Sequence, residues 1–463
     1  MKKILFALCW LASFSAVKAQ SITGQWNGVL KVEGMALRLV LHIEKKDNGY
    51  SATMDSPDQG ATGMPVSRVV FEHPKLRLEI DNLNVKYEGE WKDSVLSGTF
   101  TQSNLSVPLE FSRQAVAIKK VEPYQELAIK APLPYSAEEI TFPNKTANII
   151  LAGTLTLPAK KGRVPAVILI SGSGKQNRDE EILGHKPFLV IADYLTRRGI
   201  AVLRYDDRGA GGSTGDFASA TSTDFATDVE SAITYLKNRP EIDTRKIGLV
   251  GHSEGGMIAP MVAAKSKNVG FIVLLAGPGI PCSEIILLQK TLIERADGIP
   301  EKMIRHSDSV NRQLVQLVKE IKNDDTLRQR IIRQAAAAYW HDSTVVFLMG
   351  RGPDELAQLL VSPWMKYFIR FNPSPVLQQV RCPVLALNGS KDLQVPAKEN
   401  LVGIAAAFRK SGNRKVTIKE LQGLNHLFQE CDTGSPGEYF RIAQTFSPQA
   451  LEAMGNWIAE TVK

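Results

Sequence analysis

The sequence predicts a small all-β domain followed by an α/β domain, with a mostly parallel sheet, helices on both faces and a helical cap insertion. Three observations carry this. Residues 21–112 show the period-2 alternation of strands with one wet face. From about residue 136, short apolar β-rich runs alternate with amphipathic helical patterns, the signature of a parallel sheet covered by helices. One of those strands runs directly into Gly251-His252-Ser253-Glu254-Gly255 and then a helix-like stretch. The 463 residues suffice for two or three domains at roughly 150 residues each.

The β domain, residues 20–113, is read from local patterns. Leu37, Leu39, Leu41 and Ile43 alternate with Arg38, Val40, His42 and Glu44. Asp47-Asn48-Gly49 signals a turn, and Gly24-Gln25-Trp26 is echoed by Gly89-Glu90-Trp91. Many short strands at this spacing predict a barrel or sandwich. A linker over 114–135 follows, broken by Pro123, Pro132 and Pro134.

The α/β domain, 136–463, has strands expected at 166–170, 201–205, 247–250, 271–275, 383–387 and around 416–418. Ala166-Val167-Ile168-Leu169-Ile170 is apolar throughout, as a strand covered on both faces should be. Helices are expected from Pro187 to Gly199 and along the Phe225, Val229, Ile233, Leu236 stripe. Residues 280–375 lack strands of this kind and carry helical patterns instead. They are read as a cap, the alternative being a helical bundle remote from the site.

Composition narrows the function classes. Hydrophobic residues make up 44% and charged residues 22%, which excludes a disordered chain, a collagen-like repeat and a polytopic membrane protein. The formal charge is +8, and Lys2, Lys3 and Lys18 contribute to it without acidic partners in the first 19 residues. No block of Lys/Arg marks a nucleic-acid tract, so no nucleic-acid partner is expected. Residues 1–19 read as a signal peptide: a basic head, an apolar run from Ile4 to Val17, and small residues before a cut at Gln20. That run is too short to span ~30 Å of hydrocarbon comfortably. The mature protein is therefore expected to be exported, to the periplasm or the medium, without stable membrane insertion. Cys282, Cys382 and Cys431 cannot all pair, and no spacing suggests zinc.

The chemistry centres on Ser253. A Gly-x-Ser-x-Gly between strand and helix is a nucleophile elbow, a turn so tight that its flanking positions must be glycine. A serine hydroxyl needs a base to take its proton. On such a fold the order along the chain is Ser, then Asp or Glu, then His. Of the histidines after the elbow, His306 and His341 precede the strand at 383–387, leaving His426. The acid belongs just past that strand, where Asp392 stands; Glu399 and Glu420 are the alternatives. Two backbone donors must meet the developing oxyanion. The Glu254 N–H is one, and the Ser171-Gly172-Ser173-Gly174 loop offers the other, with Ser173 favoured over Gly172 and Gly174. That loop is no phosphate loop, since Leu169 and Gln176 stand where Gly and Ser/Thr are required. Asp206 and Asp207 are read as a structural turn.

These segments resemble the alpha/beta-hydrolase superfamily: Ser171–Glu180, His185-Lys186-Pro187-Phe188, Tyr205-Asp206-Asp207-Arg208-Gly209 and Gly251–Gly256. They look most like bacterial esterases related to serine aminopeptidase-like hydrolases that carry a β-rich N-terminal domain. The resemblance covers about 136–280 and 375–463 and is weakest over the cap. It implies hydrolysis of carboxylic esters through an acyl-enzyme, with Ser253, Asp392 and His426 as the triad and an acyl pocket under the cap. Lys175 departs from the proline of many relatives.

The expectation is an exported serine esterase with no cofactor or metal, acting on a small-molecule ester, with self-association left open. A peptidase releasing small N-terminal residues is the alternative, with Asp354 or Glu355 as anchors for the substrate ammonium. A binding protein that uses the β domain is a third reading, from a different class.

Overall fold

The computed structural model describes residues 21–32, 35–57, 61–81, 85–102, 105–115, 123–159, 162–341 and 353–463. The expected signal peptide lies outside the described residues. The chain divides into two compact units, Met1–Ile118 and Lys119–Lys463.

The first unit holds nine strands: β1 (Gly24–Val32), β2 (Met35–Lys46), β3 (Gly49–Ser56), β4 (Ala61–Pro65), β5 (Arg68–Glu72), β6 (Lys75–Ile80), β7 (Val85–Lys92), β8 (Val95–Gln102) and β9 (Leu105–Ser112). They form one antiparallel sheet in the order β4-β3-β2-β1-β9-β8-β7-β6-β5. Its edges, β4 and β5, are neighbours in sequence. Between them the Val66 amide donates to Ala52 of β3 at 3.0 Å and the Ser67 amide to Glu79 of β6 at 2.8 Å. Tyr50 meets Phe71 edge-on, 5.7 Å between ring centres. The sheet thus curls toward closure, which limits the unpaired edge. The alternating inward residues Leu39, Leu41 and Ile43 join Trp26, Tyr87 and Phe111 in a buried core.

In the second unit, eight strands follow: β10 (Tyr135–Asn144), β11 (Ile149–Pro158), β12 (Val164–Ile170), β13 (Ala201–Tyr205), β14 (Ile242–His252), β15 (Phe271–Leu275), β16 (Val384–Gly389) and β17 (Val416–Leu421). Their order is β10-β11-β13-β12-β14-β15-β16-β17. β11 alone runs against its neighbours; from β13 onward all pairs are parallel. Successive residues of the central strands point to opposite faces, and each face has its own core. Ile168, Leu249 and Ile272 pack with Val229 and Ile233 of one helix and Ile404 and Phe408 of another. Val167, Val250 and Val273 pack on the other side with Ile191, Leu195, Leu451 and Met454. That two-sided burial is why these strands are apolar throughout.

The helices are α1 (Tyr124–Ala128), α2 (Pro187–Arg197), α3 (Ser222–Lys237), α4 (Glu254–Ala263), α5 (Cys282–Ala296), α6 (Glu301–Glu320), α7 (Asp324–His341), α8 (Pro353–Leu360), α9 (Pro363–Arg370), α10 (Pro373–Leu377), α11 (Ala397–Ser411) and α12 (Pro448–Thr461). α1 was not expected inside the proline-broken linker. α2 stops two residues before Gly199, whose φ of 87° supplies the left-handed position that ends a helix. Among the described residues, helices α5 to α10 occupy the interval between β15 and β16. They carry an apolar cluster of their own, including Leu314, Val318, Leu327, Ile331, Leu356 and Ile369.

Candidate active site

Ser253 sits between β14 and α4 with φ 51° and ψ −114°, a strained conformation for a residue with a side chain. The turn is closed by backbone contacts that exclude side chains. A Cβ on Gly251 would collide with the Gly255 carbonyl, and one on Gly255 with the Ile170 carbonyl. The sequence folds this way because only glycine fits both positions. Ser253 thereby lies at the carboxyl edge of the sheet, at the N-terminal end of α4, where the Gly256 amide bonds the Ser253 carbonyl at 2.9 Å.

Asp392 and His426 come from the loops after β16 and β17. The His426 Nδ1 lies 2.8 Å from Asp392 Oδ2. The other carboxylate oxygen accepts the Gln394 and Val395 amides, each at 2.8 Å. Both side chains are buried. A carboxylate held by two amides and facing Nδ1 fixes the imidazole tautomer, so Nε2 is left as the basic nitrogen. No hydrogen bond joins Ser253 Oγ to His426 among the described residues. The connection runs instead through the preceding residue. The rings of His252 and His426 are 4.8 Å apart, and His252 Nε2 lies 2.9 Å from the His426 carbonyl oxygen.

Among the described residues, neither alternative acid makes a hydrogen bond to the His426 ring, which faces Asp392. Glu420 is exposed and takes a hydrogen bond from Gln422 at 3.2 Å. Glu399 opens the first turn of α11. His306 is exposed on α6, and Asp354 and Glu355 are exposed at the start of α8.

On the donor side, the Gly172 amide is already engaged by Glu180 Oε1 at 2.6 Å. That leaves Ser173 and Gly174 as the loop amides that can face an oxyanion. The Asp206-Asp207 turn, read from the sequence as structural, is tied by hydrogen bonds into the loops around it. Asp206 binds Arg178 and the Gly212 amide. Asp207 accepts the Ser171 hydroxyl at 2.7 Å and the Gln176 amide at 2.8 Å. Burial pushes the Asp207 carboxyl up to about 7, helped by the charges of Glu254 and Glu180 and opposed by those two hydrogen bonds.

Sequence reasoning assigned no side-chain role to four residues at this site. Glu254 contributes more than its amide: its buried carboxylate accepts the Ser222 hydroxyl at 2.5 Å and the Trp364 indole N–H at 2.9 Å. Burial raises it above the usual carboxylate range, while Ser222, Trp364 and Ser173 pull it down. Trp364 belongs to α9, so the helical insertion reaches the residue next to Ser253 and is a cap rather than a remote bundle. Beside it, a cleft of about 460 Å3 is lined by Thr221, Lys366, Tyr367 and Phe371 among others. The remaining two, His252 and Glu180, form a buried pair with Nδ1 to Oε1 at 2.9 Å. Only their membership in the quoted motifs could have marked them. The thiols of Cys282, Cys382 and Cys431 are free. Among the described residues no cluster of His, Cys, Asp and Glu could hold a metal ion, and no helix is long and apolar enough to cross a membrane.

Eight strands in this order, one of them reversed, with helices on both faces, have the alpha/beta-hydrolase fold, and Ser253, Asp392 and His426 stand after β14, β16 and β17 of it. Parts of the chain are similar to known proteins. Residues 229–357 match the family model described as BAAT / Acyl-CoA thioester hydrolase C terminal. The chain is 25% identical over 311 residues to Esterase EstD of Thermotoga maritima, covering 67% of this chain and 66% of that protein. It is 26% identical over 204 residues to Acyl-coenzyme A thioesterase 1 of Rattus norvegicus, covering 43% and 42%. The matches thus span less than two thirds of either relative. The solved structure of Est1E from Butyrivibrio proteoclasticus with ferulic acid aligns at a TM-score of 0.40 and 18% identity, covering 70% of this chain and 99% of that one.

Proposed function

We propose that the protein is an exported serine hydrolase that cleaves carboxylic esters of small molecules through an acyl-enzyme. Ser253 Oγ attacks the carbonyl carbon and passes its proton to His426 Nε2, while Asp392 holds Nδ1–H and stabilises the imidazolium. The Glu254 and Ser173 amides take up the oxyanion. The tetrahedral intermediate collapses, His426 returns the proton to the leaving alkoxide, and water repeats the sequence on the acyl-enzyme. The observation that carries this reading is the Asp392–His426 hydrogen bond at 2.8 Å, on loops adjoining the strained Ser253 turn. The esterase name of the EstD relative supports the substrate class. Export rests on the pattern of residues 1–19.

The thioester-hydrolase description of the matching family model favours a second reading, acyl thioester cleavage by the same steps. The peptidase alternative gains nothing from Asp354 and Glu355, which are exposed on the cap.

Protein recovered from the exported fraction, expected to begin at Gln20, should be assayed on short p-nitrophenyl esters, acyl-coenzyme A thioesters and aminoacyl anilides. Esters should turn over fastest; faster thioesters or anilides would transfer the assignment to that class. Ser253→Ala should lower kcat by roughly 10⁴-fold or more while the protein stays folded. Near-native turnover by that variant, or failure of a fluorophosphonate to label the wild type, would overturn the serine mechanism.

A further inference from the structure

Below the proposed triad lies a second buried histidine–carboxylate contact that the mechanism does not use. His252 and Glu180 are 7% and 6% exposed. Glu180 Oε1 accepts the Gly172 amide at 2.6 Å and faces His252 Nδ1 at 2.9 Å. On the far side of the ring, His252 Nε2 faces the His426 carbonyl oxygen at 2.9 Å. Glu180 holds this position from a backbone φ of 51°, a cost for a residue other than glycine.

The proton count follows from donor and acceptor chemistry. A carbonyl oxygen has no hydrogen, so Nε2 must carry one. The contact between Nδ1 and the carboxyl needs another, placed on either partner. Both contacts are hydrogen bonds only when the pair holds one proton more than a carboxylate and a neutral imidazole would. The Glu180 charge beside Nδ1 and that of Asp392 oppose the burial that disfavours an imidazolium. Together with the His426 carbonyl they raise the His252 pKa. The titratable groups facing His252 are Glu180, His426 and Asp392; the other ring against it is Phe428, at 6.3 Å.

We propose that Glu180 and His252 are a positioning pair that ties the donor loop at Gly172, the nucleophile turn and the His426 backbone into one alignment, and that this alignment holds only while the pair keeps its shared proton. The inference rests on the serine-hydrolase reading and adds a regulated geometry to it. Gly172 sets where the Ser173 amide points, His252 immediately precedes Ser253, and the His426 carbonyl anchors the base. When one proton leaves, the remaining one stays on Nδ1, held by the Glu180 carboxylate, so Nε2 and the His426 carbonyl oxygen become two opposed lone pairs and the base is released. The sign is fixed by the raised histidine: its contribution is present at and below the ordinary histidine range and is lost as pH rises through its higher folded value. Turnover therefore has an alkaline limit set by this pair.

The test compares pH profiles of kcat and kcat/KM for wild type, Glu180→Gln, Glu180→Asp and His252→Gln. In Glu180→Gln the amide oxygen still accepts the Gly172 N–H, but no charge retains the ring proton. Its kcat should fall by roughly 10²-fold with little change in KM, as for a misplaced base, and its alkaline limb should move to lower pH. Glu180→Asp should restore the limb toward its wild-type position. His252→Gln should lower kcat and lose that limb. A Glu180→Gln variant with wild-type kcat and limb would overturn the proposal. So would a wild-type profile that is flat to ~pH 10, which requires no variant to fold. Fluorophosphonate labelling and the Ser253→Ala control separate the two failures: an active Ser253→Ala refutes the serine mechanism, whereas an inactive one with unaffected Glu180→Gln refutes only the positioning pair.

Discussion

Asp207 shows how one buried carboxyl can tax the fold near a site without taking part in the chemistry. Its folded value of about 7 lies far above the usual aspartate range, mainly through burial. A carboxyl raised on folding costs stability once the unfolded chain ionises, and the cost grows until pH passes the folded value. An asparagine could keep both contacts, accepting the Gln176 amide through its oxygen and offering its NH2 to the Ser171 hydroxyl. Asp207→Asn should therefore gain on wild type between about pH 5 and 8, by on the order of 2 kcal/mol. Urea unfolding at both pH values measures this, and an equal difference at both would refute it. The proposed triad was drawn from the sequence by chain order, since one histidine follows the last strands and one aspartate follows β16 directly; of its three members the structure joins Asp392 and His426 by a hydrogen bond. Glu180, His252 and Trp364 were not legible there, because their roles arise from contacts across 72, 174 and 110 positions. No local spacing encodes such contacts.

Among the elements, the central strands were legible because burial on both faces leaves an unbroken apolar run, as in Phe271–Leu275. The helix α1 was not, since five residues among prolines carry no periodicity. The reach of the cap was also hidden, because a helical stripe reports a buried face but not the partner it meets. That partner makes α9 testable. Trp364 stacks on Phe368 at 5.2 Å between ring centres and gives its indole N–H to Glu254. In Trp364→Phe the ring stack survives, but the buried carboxylate loses a donor, at a cost of about 1–3 kcal/mol. The cap is then tied less firmly to the residue beside Ser253. KM for esters should rise several-fold on the order of 1 kcal/mol, with a smaller change in kcat, because the Asp392–His426 contact is untouched. Unchanged KM and unchanged thermal midpoint together would show that the indole does not tie the cap.

At the scale of the whole molecule, the chain is two compact units in series. Each sheet is complete in itself: the nine-stranded one ends at Ser112 and the eight-stranded one begins at Tyr135. The apolar cluster of the first unit draws on residues 22–111 alone, and the two clusters flanking the second sheet begin at Phe142 and Val167. Every residue given a role in the proposed reaction lies in the second unit. Chains of several domains depart from a single two-state transition, and separate sheets and apolar clusters are the basis for expecting separate transitions here. Calorimetry of the full chain should resolve two transitions. A chain that begins at Lys119 should keep the second of them within about 2 °C and should hydrolyse esters with the kcat of the full protein. Loss of activity with that transition intact would mean that the β unit supplies part of the substrate site. Loss of the transition itself would mean that the division into two units is not an energetic one.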